Sequence, residues 1–156
     1  SLIVGGPLVK TALQRPDQIV PVDSETDLAE QVVAQVRGEL DRLAGGLVGV
    51  VCPGGRLATV GTALDRAFPG MVAAGMRSLD RRIMVLTPWD AKGLEFDSVV
   101  VVEPTEIADD PAGGPGNLYV AMTRPTQRLY LVAAHGLPEG ITPQPGDRGA
   151  GDPTAA

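Results

Sequence analysis

The sequence predicts an α/β fold in which a mainly parallel sheet is covered by helices on both faces. Short apolar runs typical of strands alternate with amphipathic runs typical of helices, an order that favours parallel sheets. Residues 47–52 and 98–103 are almost continuously apolar, as expected for strands buried on both faces. The chain has 156 residues, 44% of them hydrophobic, which suits one globular domain with a sizeable core.

The amino-terminal half of the predicted domain contains two strand–helix units. A β-branched run at residues 18–22 predicts a strand, and Ser24 suits the N-cap of the helix that follows. Apolar residues then recur every three or four positions, the pattern of a one-faced helix: Leu28, Val32, Val36, Leu40 and Leu43. Gly45-Gly46 ends this helix, and a second helix is predicted from Leu57 to Phe68.

The carboxy-terminal half is richer in strands. Residues 71–79 are ambiguous, whereas three further runs predict strands: 83–86, 98–103 and 128–133. Segment 105–116 is rich in Asp, Gly and Pro and predicts a polar loop, after which Asn117 is expected to open a short helix. By domain, we expect an irregular lead-in, a folded domain and a disordered tail, with the bounds 1–17, 18–135 and 136–156.

The composition excludes several classes of function. With a net charge of −6, the chain is a poor autonomous nucleic-acid binder, because that affinity comes mostly from Lys and Arg. Cys52 and His135 are the only residues of their types, so we predict no disulfide and no metal site, and we assign no metal to Glu103. No apolar run reaches the ~20 residues that span a membrane and no signal peptide opens the chain, which favours a cytoplasmic location.

Two short segments carry the most specific signal in the chain. Residues 87–96 read Thr-Pro-Trp-Asp-Ala-Lys-Gly-Leu-Glu-Phe and join two predicted strands, and residues 117–124 read Asn-Leu-Tyr-Val-Ala-Met-Thr-Arg and deliver an arginine. Arginine is always charged, and its rigid fork of donors matches the oxygens of a phosphate. The pair resembles two signature motifs of the second RecA-like motor domain in UvrD/Rep-type superfamily 1 helicases.

This resemblance implies a RecA-like, P-loop NTPase-like fold and a share in an interdomain ATP site. Arg124 would be the arginine finger that reaches the γ-phosphate, and Glu95 would accept hydrogen bonds from the ribose. Gly93 would belong to the same nucleotide-binding segment. The alternatives are a structural arginine at a helix end, an exposed acid, and a glycine needed only for its backbone conformation.

The chain has no Gly-x-x-x-x-Gly-Lys-[Ser/Thr] phosphate loop. We therefore expect that it does not hold ATP and Mg²⁺ by itself. The resemblance implies that the first RecA-like domain of the same full-length protein binds them and is the main partner of this domain.

The first segment departs from the family pattern at Trp89-Asp90, where relatives usually have His-Ser. Thr87 and Trp89 lie where relatives couple nucleotide to nucleic acid. Trp89 could stack on a base or pack on a neighbouring domain, whereas Asp90 would repel a phosphate backbone. Lys92 could face phosphate or solvent. Relatives often place a phosphate-contacting arginine at the end of the 47–52 strand, where this chain has Cys52-Pro53-Gly54, and the role is not carried over to nearby Arg56.

These departures and the acidic balance favour a HelD-like factor, which resembles these helicases but acts on bacterial RNA polymerase. Two alternatives stay open. One is a DNA helicase or translocase of the UvrD/Rep type, and the other is a non-catalytic protein-binding module whose sheet has lost ATP chemistry. Nucleic acid would be bound by the full-length protein rather than by this domain alone, and no membrane is implied.

Overall fold

A computed structural model describes residues 16–74, 81–138 and 141. Its strands are β1 (Gln18–Pro21), β2 (Val48–Val51), β3 (Val72–Ala74), β4 (Ile83–Leu86), β5 (Phe96–Val102) and β6 (Pro125–Ala133). They form a six-stranded sheet in the order β1-β6-β5-β2-β4-β3, and every neighbouring pair is parallel. The predicted α/β class with a parallel sheet is confirmed.

Helices cover both faces of this sheet. They are α1 (Glu25–Arg42), α2 (Leu57–Ala67), α3 (Pro88–Ala91), α4 (Pro104–Asp109) and α5 (Gly114–Met122), with a 3-10 turn at Gly54–Arg56 before α2. Apolar residues of α1 and α2 pack on one face, and those of α3, α4 and α5 pack on the other. None of the helices in the described residues is long and apolar enough to cross a membrane.

Helix α1 follows the predicted amphipathic pattern. Ser24 caps its amino end, because the Ser24 hydroxyl oxygen accepts a hydrogen bond from the backbone N–H of Asp27 at 3.3 Å. On the stripe that faces the sheet, Val32 and Val36 are fully buried. Burying such a side chain contributes roughly 1.5–3 kcal/mol, so packing against the sheet stabilises this helix more than its intrinsic propensity does.

A buried polar network ties α1 to strands β5 and β6. Glu39 is 4% exposed and accepts hydrogen bonds from the hydroxyls of Ser98 and Tyr130, each at 2.5 Å. Arg42 donates to the same carboxylate through Nε and Nη2. Burial, and then the hydrogen bond to Glu39, raise the pKa of the Tyr130 phenol above its usual range. The carboxylate is therefore satisfied by protein donors where water has little access.

The prediction of a polar loop at 105–116 is wrong, since this segment contains most of α4 and the start of α5. Pro104 and Pro115 lie in the first turns of the two helices, where a missing backbone N–H costs nothing. Ile107 is buried among the residues of the second core face. The helix that was expected to open at Asn117 therefore begins earlier, at Gly114.

Some predictions fall outside the described residues. The irregular lead-in at 1–17 is described only for its last two residues, and most of the predicted tail at 136–156 is not described. Of the ambiguous segment 71–79, Val72–Ala74 forms the edge strand β3, and residues 75–80 lie outside the described part of the chain.

The parallel arrangement gives the sheet two chemically different edges. We call them the amino edge, where the strands begin, and the carboxyl edge, where they end. At the amino edge Phe96 is paired with Pro125. Near the carboxyl edge Val51 lies level with both Leu86 and Val101. At about 3.3 Å per residue, the length of β5 separates the two edges by about 20 Å.

Candidate functional site

The two segments that carried the sequence signal meet at the amino edge. Arg124 links the end of α5 to the start of β6, and Glu95 immediately precedes β5. The backbone N–H of Phe96 donates to the carbonyl oxygen of Arg124 at 3.1 Å. This bond joins the segments through their main chains, so the position of each depends on the other.

The Arg124 side chain makes a second connection between the same segments. Its Nη1 donates to the carbonyl oxygen of Leu94 at 3.3 Å, across a sequence separation of 30 residues. Its Nε donates to the carbonyl of Val120 at 3.1 Å, and its Nη2 donates to the hydroxyl of Thr123 at 3.1 Å. The guanidinium is half-buried and lies next to the residue that precedes Glu95. Among the described residues, no carboxylate forms an ion pair with Arg124.

Glu95 and Gly93 occupy the exposed part of this loop. Both residues are exposed, and Glu95 has no protein donor among the hydrogen bonds of the described residues. Gly93 has φ +80, in the left-handed region where a side chain is strained, although an added Cβ would meet no atom within 4 Å. The positive φ therefore explains why glycine suits position 93. The space beside its Cα is empty.

Thr87 and Asp90 form a helix cap at the start of α3. The Thr87 oxygen accepts a hydrogen bond from the backbone N–H of Asp90 at 3.2 Å, and its hydroxyl donates to the Asp90 carboxylate at 3.3 Å. The cap by itself explains why a threonine and an aspartate occupy positions 87 and 90, with no ligand required.

Trp89 lies on the outer side of the same helix and is 68% exposed, the only large hydrophobic side chain so exposed in the described part of the chain. The ammonium of Lys92 lies 3.8 Å from the centroid of its ring, a cation–π contact. Lys92 therefore faces an aromatic ring rather than solvent alone.

The predicted site residues fall into two groups, one after the end of β4 and one before the starts of β5 and β6. Gly93, Glu95 and Arg124 lie towards the amino edge, where β5 and β6 begin. Thr87 and Trp89 follow β4 at the carboxyl edge. A short, turned segment connects the two groups: Gly93 is four residues after Trp89, and the backbone N–H of Lys92 donates to the carbonyl oxygen of Trp89 at 3.4 Å.

The carboxyl edge also holds a charged cluster that the sequence prediction missed. Glu103 is fully buried, and its carboxylate accepts from the backbone N–H of Ala134 at 3.1 Å and contacts His135 Nδ1 at 2.9 Å. Arg56 Nη2 lies 3.6 Å from Glu103, and its guanidinium is also ion-paired with Glu106. Glu103 has φ 50, a strained conformation for a residue other than glycine. The sequence feature that could have indicated this cluster is an acid, Glu103, directly after a run of valines.

This cluster bears on two predictions. One oxygen each of Glu103 and Glu106 and one ring nitrogen of His135 lie within 4.8 Å of one another, a spacing that a metal ion could bridge. The Arg56 guanidinium already supplies positive charge to both carboxylates, however. Arg56 also lies at the edge opposite Arg124, so it cannot replace the strand-end arginine of relatives at a shared phosphate.

Cys52 follows β2 and is fully buried. Burial raises the pKa of its thiol from 9.0 to about 12, and the nearby charge of Arg56 offsets this only in part. A buried, protonated thiol is a poor nucleophile and a poor metal ligand. Cys52 is thus a small core residue.

Comparison with known families gives the class of protein. The sequence model of the viral superfamily 1 RNA helicase core domain matches residues 49–133, more than half of the chain. The chain belongs to this superfamily 1 helicase family, and it is a helicase-like motor domain. The superfamily that the two motifs indicated is confirmed. A comparison with curated protein sequences finds no match.

Solved structures share the fold at low sequence identity. The C-terminal domain of a possible DNA helicase from Lactobacillus plantarum is 22% identical with a TM-score of 0.64, and the match covers 85% of this chain and 84% of that one. The SWI2/SNF2 ATPase core of Sulfolobus solfataricus, solved in complex with dsDNA, is 16% identical with a TM-score of 0.57. That match covers 84% of this chain and 29% of the other.

An arterivirus helicase, nonstructural protein 10, solved in complex with DNA, is 14% identical with a TM-score of 0.53. The match covers 86% of this chain and 33% of that one. This chain therefore spans about a third of the two larger motor proteins and most of the isolated helicase domain. The RecA-like fold that the resemblance implied is confirmed.

Proposed function

We propose that this chain is the second motor domain of a superfamily 1 ATPase and supplies Arg124 and Glu95 to an ATP site shared with a first RecA-like domain. The observation that carries the proposal is the direct bond between the two signature segments, from Arg124 Nη1 to the carbonyl of Leu94 beside Glu95. A half-buried cationic fork and an exposed carboxylate on adjoining segments match the phosphate and ribose ends of a nucleotide.

The chemistry of these residues fits that ligand. Arg124 would stabilise the charge that develops on the γ-phosphoryl oxygens, a role worth roughly 10³–10⁵ in rate. Glu95 would accept hydrogen bonds from ribose hydroxyls, for which a carboxylate has the right lone pairs. Gly93, with its positive φ, would shape the loop that carries Glu95. Mg²⁺, which would neutralise phosphate charge, would be held mainly by the first RecA-like domain.

The shared site is tested by the purified chain alone. We expect no ATP turnover above background and no tight ATP binding, because the residues of this chain contact only part of the nucleotide. Binding can be measured by calorimetry and turnover by phosphate release. Turnover by the isolated chain that Arg124→Ala abolishes would show a complete site in this domain and refute the shared one.

Within the superfamily we propose a HelD-like factor that acts on RNA polymerase. The carboxyl edge supports a factor that does not depend on DNA binding, because its cations already have partners in the protein. Arg56 is ion-paired there with Glu103 and Glu106, and Lys92 lies on the Trp89 ring. Asp90 on α3, and Asp109 and Asp110 at the end of α4, are exposed acids on helices that follow strand ends at this edge. Such a surface repels a phosphate backbone and gains little from counterion release. The second candidate, a DNA helicase, is favoured by exposed Trp89, which could stack on a base.

Titration of single-stranded DNA into an ATPase assay of the full-length protein separates these two candidates. At fixed, near-physiological salt, the HelD-like reading predicts turnover that changes less than about twofold, because the domain contributes little to DNA affinity. A helicase would show many-fold stimulation that Trp89→Ala removes and Trp89→Phe largely retains, since phenylalanine keeps an aromatic face. Strong stimulation with that pattern would replace the polymerase factor by the helicase.

A further inference from the structure

We propose that Thr123 is a positioning residue for Arg124: its hydroxyl fixes the guanidinium in the orientation needed for phosphate contact. The inference rests on the proposed role of Arg124 at an ATP site and adds a second residue to it. Thr123 is the C-cap of α5 and directly precedes the arginine in the chain.

The Thr123 hydroxyl is itself oriented by the helix. Its oxygen lies 2.9 Å from the carbonyl oxygen of Tyr119 and 3.1 Å from that of Val120, so its single proton is donated back into the last turn of α5. The lone pairs of the oxygen are then free to accept, and Nη2 of Arg124 donates to it at 3.1 Å. The helix end thus determines where the acceptor for the guanidinium lies.

Three acceptors, two at the end of α5 and one in the loop before β5, hold three different nitrogens of the guanidinium. Val120 holds Nε, Leu94 holds Nη1 and Thr123 holds Nη2. A guanidinium carries five N–H groups, two of them on each terminal nitrogen. Within the described residues, one N–H therefore remains without an acceptor on each terminal nitrogen. These are the donors that an oxyanion can take without breaking any of the three bonds.

Of the three acceptors, Thr123 is the one whose side chain makes the contact, since Val120 and Leu94 use backbone carbonyls. Substitution can therefore remove this bond and leave the other two acceptors of the guanidinium in place, although it also removes the contact of the hydroxyl with the last turn of α5. Thr123→Val deletes the hydroxyl and keeps the shape and β-branching of the side chain. Thr123→Ser keeps the hydroxyl and removes only the methyl group, so it is the matched control.

The experiment uses the full-length ATPase and measures single-turnover hydrolysis and ATP affinity separately. We expect Thr123→Val to lower the hydrolysis rate about 10-fold, the scale of one hydrogen bond to a charged group. ATP affinity should change less than about twofold, because the finger acts mainly on charge that develops in the transition state. Thr123→Ser should stay within about threefold of the unmodified protein.

A double-mutant cycle with Arg124→Ala shows whether Thr123 acts through the arginine. With Arg124 absent, Thr123→Val should cause no further loss. A normal rate in Thr123→Val, an equal loss in Thr123→Ser, or a full additional loss in the Arg124→Ala background would each overturn the positioning role. If Arg124→Ala alone leaves hydrolysis unchanged, the proposed finger fails as well, and this result is distinct from the other three.

Discussion

Replacement of Arg124 by alanine in the full-length protein is expected to lower kcat by about 10³–10⁵ and to leave ATP affinity nearly unchanged. The reason is that an arginine finger contacts charge that is larger in the transition state than in bound ATP. Arg124→Lys should restore little, because an ammonium group lacks the planar fork and would lose the bonds to Leu94 and Thr123 together. Rapid-quench hydrolysis and equilibrium nucleotide binding separate the two effects.

Arg128 provides a matched control for the loss of positive charge. It lies on β6, four residues after Arg124, and its guanidinium is directed to Asp17, 3.5 Å away. Arg128→Ala should keep kcat within about twofold, since exposed ion pairs contribute little. Equal kcat in the Arg124→Ala protein and the unmodified protein would remove the finger role, and a similar loss in Arg128→Ala would point to a general effect of charge.

The largest expected effect on stability is that of Gly114→Ala. A Cβ added at Gly114 would lie 2.1 Å from the carbonyl oxygen of Ala108 and 2.7 Å from its carbonyl carbon. These are backbone atoms of α4, so the clash cannot be relieved by a side-chain rotation, and α5 has to move away. We expect the free energy of unfolding to fall by roughly 2–3 kcal/mol, measured by urea denaturation of the purified chain.

Gly116 is the matched control because it lies on the same helix and an added Cβ there meets no atom within 4 Å. Gly116→Ala should stabilise the chain by roughly 0.5–1 kcal/mol, since alanine loses less conformational entropy than glycine in a helix. The opposite signs of the two substitutions are the decisive result. If both stabilise the chain, the close contact between α4 and α5 is absent in solution.

Prediction from the sequence succeeded where local pattern and burial agree. The period of the apolar residues in α1 reflects one face against the sheet, and the continuous valine run of β5 reflects burial on both faces. It missed α4 and placed the start of α5 three residues late, because Pro104, Gly113 and Gly114 resemble loop residues. There the prolines start helices, and Gly114 allows two backbones to touch. The close packing of α5 on α4 explains these residues, and it cannot be predicted from the local sequence.

The candidate site shows the same division. The two signature segments indicated Arg124, Glu95 and Gly93 by residue type and spacing, and these residues lie on joined segments. The cluster of Arg56, Glu103, Glu106 and His135 was missed, because its members come from three separate parts of the chain. Their proximity follows from the strand order, which brings β2, β5 and β6 side by side.

The sequence by itself determined the class of this protein, a parallel α/β domain of the superfamily 1 helicase type, and it singled out Arg124 as the residue to test for phosphate chemistry. The fold class and the signature motifs depend on side-chain type and on spacing along the chain, and both can be obtained from the sequence directly. Only the tertiary structure decided that Glu95 and Arg124, from distant parts of the chain, lie on segments joined by direct hydrogen bonds. It also decided that Arg56 is held by buried Glu103. The physical reason is that parallel pairing sets the direction and neighbours of every strand through contacts between distant residues.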